Sequence, residues 1–127
     1  MARKFDPRDF IIIGERVAQC QSKDCCIPSN EALYRTAISR IYYSVFLRLR
    51  EYFGIKQHQS VHQKVINALY YRGYIILGHM LEELRDHRTI ADYNLRAKIT
   101  REKVKAALTI AIDLHKQIDL KLYKKKQ

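Results

Sequence analysis

Between Tyr34 and Phe53 the apolar side chains recur in steps of three and four: Tyr34, Ile38, Ile41, Tyr42, Val45, Leu49, Phe53. That spacing gathers them on one stripe of an α-helix, whereas on a strand it would scatter them over both faces. A stripe this long must be covered by other elements. The chain has few means of supplying strands, because four glycines and two prolines leave little turn punctuation over 127 residues. The expected fold class is therefore all-α: an antiparallel four-helix bundle, or five helices if one of them is broken.

Asp6-Pro7 is a helix start, with a side-chain acceptor before a ring that fits the first turn. Helix one is predicted from there to about Gln21, burying Phe10, Ile13 and Val17. A loop spans Cys25 to Asn30, and Pro28 with Ser29 or Asn30 opens helix two, which Gly54 stops. Arg35, Arg48, Arg50 and Glu51 lie off its stripe. Ser60 is placed to cap helix three, which carries Val61, Val65, Ala68 and Leu69. Gly73 and Gly78 predict a break near 72–74, followed by a stretch from Tyr74 to Leu84 presenting Leu77, Met80, Leu81 and Leu84. "HRTIADYN", residues 87–94, then reads as a polar connector. Thr100 caps a last helix with Val104, Leu108, Ala111, His115 and Ile118 on one face, where His115 is expected as a satisfied interior histidine. No internal repeat is present. One domain, 1–127, is expected, with a core over about 6–120 and a basic tail at 121–127.

Hydrophobic residues at 47% and charged residues at 29% fit a globular protein rather than a disordered one. The apolar run in "MARKFDPRDFIII" is too short for a signal peptide or a membrane span, so no membrane role and a cytoplasmic location are expected. Cys20, Cys25 and Cys26 lack the paired spacing of zinc sites and are expected as reduced thiols. The net charge is +11. From Arg96 onward ten Lys and Arg face Glu102, Asp113 and Asp119. The excess is concentrated in the last quarter of the chain, exceeds what helix capping requires, and predicts contact with phosphate.

Three constellations could carry chemistry. Arg40 and Tyr43 are three apart and share a helix face off the core stripe; a guanidinium beside a phenol can bind phosphate or stack on a base, or it can be paired with an acid from a neighbouring helix. His58 and His62 are four apart, but no H-E-x-x-H motif accompanies them and His58 precedes the helix cap, so no metal is expected. His87, Arg88, Asp92 and Tyr93 form the densest polar cluster. Arg88 and Asp92 could clamp one another across a helical turn, or Arg88 could stabilise charge on a phosphate. Neither a Ser-His-Asp pattern, a Gly-rich phosphate loop nor paired metal carboxylates can be read in the chain, and no cofactor is expected.

"YRTAISRIYYSVFLRLREYFG", "HQKVINALYYRGY" and "LRDHRTIADYN" together resemble the HEPN superfamily of small helical domains. The nearest likeness is to a branch with a Ser-Arg-x-Tyr-Tyr helix, here Ser39, Arg40, Tyr42 and Tyr43. A later Arg-x-x-Ala-Asp-Tyr element follows in that branch, here Arg88, Ala91, Asp92 and Tyr93. His62 matches a histidine often found there. The likeness covers roughly residues 30–120. It implies a helical bundle, commonly a homodimer, with roles directed at RNA or nucleotides. Many members are metal-independent ribonucleases, toxins of two-gene toxin–antitoxin modules whose partner is a small nucleotidyltransferase, or parts of defence systems.

Active HEPN ribonucleases share an arginine and, a few residues on, a histidine, placed just before the last helix. Here Arg88 is followed by Asp92-Tyr93 where that histidine belongs. An ionised aspartate is a poor substitute for an imidazolium in proton transfer. Arg72 and His79 satisfy the spacing but lie across the glycine-broken region, too early in the chain. Three readings follow. The chain binds RNA or a nucleotide, or docks a nucleotidyltransferase, with Arg40 and Arg88 in a groove and the last helix as a basic rim. Alternatively it cleaves RNA, with Arg88 stabilising the phosphorane and Tyr93, His87 or His62 handling protons, or it is a purely structural dimer. The missing histidine favours binding.

Overall fold

A computed structural model describes residues 4–24 and 29–123. It is an all-α bundle of five helices: α1 (Asp9–Gln19), α2 (Asn30–Phe53), α3 (Val61–Tyr71), α4 (Ile75–Tyr93) and α5 (Arg101–Ile118). Asp119–Tyr123 then continue α5 as one π-helical turn. No strand occurs among the described residues.

α2 is the centre of the bundle, packed against each of the other four helices. Ile38, Ile41, Tyr42, Val45 and Leu49 of the stripe are all but inaccessible to water, as is Phe46 beside them, while Tyr34 and Phe53 are half-buried. Burial goes beyond the stripe, however, to Ala37, Ser39, Ser44 and Arg48. The Ser29 hydroxyl caps α2 by accepting the Ala32 N–H at 3.1 Å. Gly54, left-handed at φ 66°, ends it.

The break near 72–74 is present: α3 stops at Tyr71 and Gly73 takes φ 86° before α4 begins. Several expectations need correction. Ile13 is exposed, because α1 turns Gly14 and Ala18 toward α2, with Ile11 and Val17 as partly buried support and Phe10 half-buried. α1 starts at Asp9, although the Asp6 carboxylate does accept the Arg8 N–H at 2.9 Å. Neither Ser60 nor Thr100 makes a side-chain cap bond. The largest correction concerns residues 87–93, which are no connector: they form the last two turns of α4. Its core-facing positions run Leu77, Leu81, Leu84, Arg88, Ala91, so that an arginine occupies a position that helical spacing reserves for an apolar side chain.

Arg48, expected off the stripe, is buried, and both of its terminal nitrogens find partners. It pairs with Asp119 and donates from Nη1 to His115 Nδ1 at 3.1 Å. With Nδ1 accepting, His115 carries its proton on Nε2, which faces Ser44 Oγ at 3.0 Å. The Ser44 hydroxyl in turn donates to the Ile41 carbonyl at 2.6 Å. His115 is thus an interior histidine with both ring nitrogens used. Cys20 is disulfide-bonded rather than a free thiol. Cys25, Cys26, Pro28 and the terminal lysines 124–126 lie outside the described residues. No described helix is long and apolar enough to cross a membrane.

Two stability predictions follow from this packing. A Cβ at Gly14 would sit 2.7 Å from Ile41 Cγ1 and 3.2 Å from the Ala37 carbonyl oxygen. Gly14→Val is expected to cost about 2 kcal/mol in urea unfolding, since overpacking outweighs the better helix propensity. Burial first, then Arg48 and Arg8, lower the His115 pKa from 6.5 to about 4. The unfolded chain therefore binds the extra proton first. The stabilisation from neutral His115 is complete above pH 6.5 and is lost as pH falls toward 4, on the order of 3 kcal/mol in total. An unfolding free energy measured from pH 7 to 4 should show that decline, and His115→Gln should make it shallower.

Candidate functional site

α2 and α4 bring most of the anticipated residues together. Ser39, Arg40, Tyr42 and Tyr43 come from one and a half turns of α2, while Arg88, Asp92 and Tyr93 come from the end of α4. Arg88 stands at the centre. Its Nε donates to Asp92 Oδ2 at 2.8 Å, the i,i+4 clamp that the spacing allowed. Its Nη2 donates to the Tyr43 hydroxyl at 3.0 Å and to the Tyr93 hydroxyl at 3.2 Å. The Ser39 hydroxyl donates to the same Asp92 oxygen at 3.2 Å. Nη1 of Arg88 donates to no group among the described residues.

The guanidinium also lies against aromatic rings, 5.2 Å from the centroids of Tyr43 and Tyr93 and 5.8 Å from that of Tyr42. Arg40 lies 5.0 Å from the Tyr43 centroid and equally far from that of Phe10. The result is an alternating series of cation and phenol: Arg40, Tyr43, Arg88, Tyr93. Its one carboxylate, Asp92, pairs with Arg88, and Arg40 has no acidic partner among the described residues. Burial opposes the charge on Arg88, but Tyr43, Tyr93 and Asp92 more than offset that cost and raise its pKa further. It is a fixed cation.

The proton inventory of the cluster follows from these bonds. Each phenol oxygen accepts from Arg88, so the hydroxyl protons of Tyr43 and Tyr93 are turned away from it, available as donors. Tyr93 is 66% exposed and Tyr43 partly so. Beyond Asp92, this corner therefore presents N–H and O–H donors on a positive background, which suits a ligand that only accepts, such as a phosphate.

His62 is the adjoining residue from α3. Its Nδ1 lies 2.6 Å from the Tyr42 hydroxyl, and its ring stacks on Phe46 at 4.3 Å. Burial, then Arg88, Arg85 and Arg50, lower its pKa to about 4, while burial raises that of Tyr42. Tyr42 therefore keeps its proton and donates it to a neutral imidazole. His62 at neutral pH is neither a ready acid nor a base with a free Nδ1. His87 is about 100° round the helix from Arg88 and joins none of these bonds. His58 precedes α3, and no group of three or more potential metal ligands is found among the described residues. Arg72 and His79 are engaged elsewhere, Arg72 against the Phe53 ring and His79 with the Tyr70 hydroxyl.

Sequence reasoning missed Arg35. From the first turns of α2 it pairs with Glu31 and donates to the carbonyls of Ala91 and Asn94, both at 3.0 Å, and of Ala97 at 2.5 Å. These are the orphan acceptors at the end of α4 and in the loop after it. Nothing in the spacing of Arg35 signals this, because the bonded carbonyls lie more than fifty positions away. Ser39 was noted only as part of a motif. A hydroxyl beside an apolar stripe was the available hint that a polar partner would dock there.

Tyr42→Phe should leave the fold intact but free His62 Nδ1. In nitrogen NMR at pH 7 the wild-type ring is expected as the Nε2–H tautomer alone, titrating near 4, and the variant as a tautomer mixture. Asp92→Ala should lower stability by about 2 kcal/mol, because it leaves a half-buried guanidinium without its counter-charge. Comparison with protein-family models, with curated proteins and with solved structures finds no match to this chain.

Proposed function

We propose that the chain is a helical domain that binds RNA or a nucleotide through the Arg40–Tyr43–Arg88–Tyr93 series. The observation that carries this reading is the proton inventory of the cluster. Of its two guanidiniums only that of Arg88 is paired with a carboxylate among the described residues, and two phenol protons point away from Arg88. Binding of a phosphate would satisfy both the surplus charge and the donors. The basic stretch from Arg96 through α5 supplies a rim of the same sign, and the net charge of +11 would speed the approach of a polyanion. The resemblance of the Ser39–Tyr43 and Arg88–Tyr93 segments to HEPN domains points to the same ligand class. On that resemblance the chain would act as a dimer in a toxin–antitoxin or defence module, beside a small nucleotidyltransferase.

Binding is preferred to metal-independent cleavage because of His62. The histidine nearest the cluster is held neutral, with its acceptor nitrogen occupied by Tyr42. Arg88 would then position phosphate without an imidazole in its bonded cluster free to exchange the proton that RNA cleavage requires.

Fluorescence anisotropy with labelled single-stranded RNA tests the proposal. Affinity should fall steeply as salt rises, and Arg40→Ala should shallow the log–log salt slope by about 0.7, one phosphate contact on a single strand. Affinity indifferent to salt would sink the reading. Incubation of labelled RNA with EDTA addresses cleavage: products that vanish in Arg88→Ala would replace binding with ribonuclease activity.

A further inference from the structure

We infer that the hollow beside Tyr93 is a platform for an unpaired, carbonyl-bearing nucleobase of single-stranded RNA. The inference rests on the RNA-binding reading and adds to it the part of the ligand that is recognised and the site that recognises it.

The hollow, about 510 Å³, is lined by Thr89, Ile90, Tyr93, Asn94, Leu95 and Arg96. It begins where the Arg88 cluster ends, since Tyr93 belongs to both. Arg88 occupies one side of the Tyr93 ring, yet two-thirds of this residue is open, and Leu95 is 87% exposed on the same hollow. A flat ring backed by a cation and facing an apolar wall is the arrangement on which bases stack.

The wall is held in place. Asn94 Oδ1 accepts the backbone N–H groups of Arg96 and Ala97, both at 3.1 Å, while Arg35 holds the Asn94 and Ala97 carbonyls from the other side. This use of Oδ1 fixes what Asn94 can offer a ligand. Its oxygen is already engaged twice and its Nδ2 donates to no group among the described residues, so the amide presents donors. A base that shows a carbonyl there, such as uracil, is accepted, whereas the exocyclic amine of adenine meets donor with donor.

A strand fits better than a mononucleotide because the cations continue. Arg96, Lys98 and Arg101 follow Tyr93 along the chain, all exposed and none in an ion pair among the described residues. They can meet successive phosphates while Tyr93 holds a base. A duplex could not offer that base, which must be splayed out of its stack.

The test measures anisotropy with short oligouridine, oligoadenosine and an abasic oligomer carrying the same number of phosphates. Wild type should bind oligouridine most tightly. Tyr93→Ala should weaken oligouridine by about fivefold or more beyond its effect on the abasic oligomer, with Tyr93→Phe, which also lacks the hydroxyl, restoring the base-dependent part alone. Leu95→Ser, at a fully open position, should reduce the same base-dependent part without touching the Arg88 bonds. Asn94→Asp keeps the two Oδ1 bonds and removes the amide donors, so the uridine-to-adenosine ratio should collapse. If oligouridine and the abasic oligomer bind alike and Tyr93→Ala weakens both equally, the platform is wrong while salt-dependent RNA binding stands. Binding of none of the probes would remove the RNA reading itself, and the platform with it.

Discussion

Everything in this bundle depends on α2 being enclosed. A twenty-four-residue helix that packs against each of the other four leaves few of its polar side chains, such as Thr36 and Glu51, in water. Each buried polar group on it must find a partner inside the protein or lose more free energy than a hydrogen bond returns. Ser44 and Arg48 meet His115 and Asp119 from α5 and the turn after it, Ser39 and Tyr43 meet Asp92 and Arg88 from α4, and Tyr42 meets His62 from α3. Among the described residues no buried side-chain nitrogen or oxygen lacks a partner.

The two arginine networks solve the same problem with different outcomes. Around Arg48 both terminal nitrogens donate within the bundle, and the hydrogen-bond sequence from guanidinium to imidazole to hydroxyl to carbonyl closes on the backbone. It is a structural device. Around Arg88 the sequence stays open, because the phenol oxygens receive bonds and their protons have no partner assigned within the bundle. Both arginines are pinned by a carboxylate, so the salt bridge alone does not distinguish them. The distinction lies in where the next proton points.

Fold class, the α2 stripe, the break at Gly73 and the i,i+4 pairing of Arg88 with Asp92 were all legible in the sequence, because each depends on local spacing. The helical state of residues 87–93 was not. Arg88 occupies a core-register position, and a reading based on hydrophobicity counts an arginine there as the end of the pattern. Its stripe position becomes tolerable only through Tyr43 and Ser39, which arrive from α2, some forty-five to fifty positions earlier. Arg48 failed for the same reason, since a buried arginine is invisible until its acceptors are known. Ile13 was misplaced because three adjacent isoleucines, Ile11 to Ile13, allow several buried faces, and the close approach of Gly14 to Ile41 selects one of them.

The Arg35 bonds have a consequence for how this corner of the molecule can change. The loop after α4 owes its shape to a guanidinium on α2 that reaches three carbonyls while also holding Glu31. A lysine would keep the charge but present one ammonium where a planar fork now spreads over several acceptors. The corner therefore takes form only after the two ends of the α2–α4 pair have met. A substitution at position 35 would alter the surface around Tyr93 and Leu95 without altering any residue on that surface. Variation in whatever this face contacts can be controlled from inside the bundle, at a site that no ligand touches.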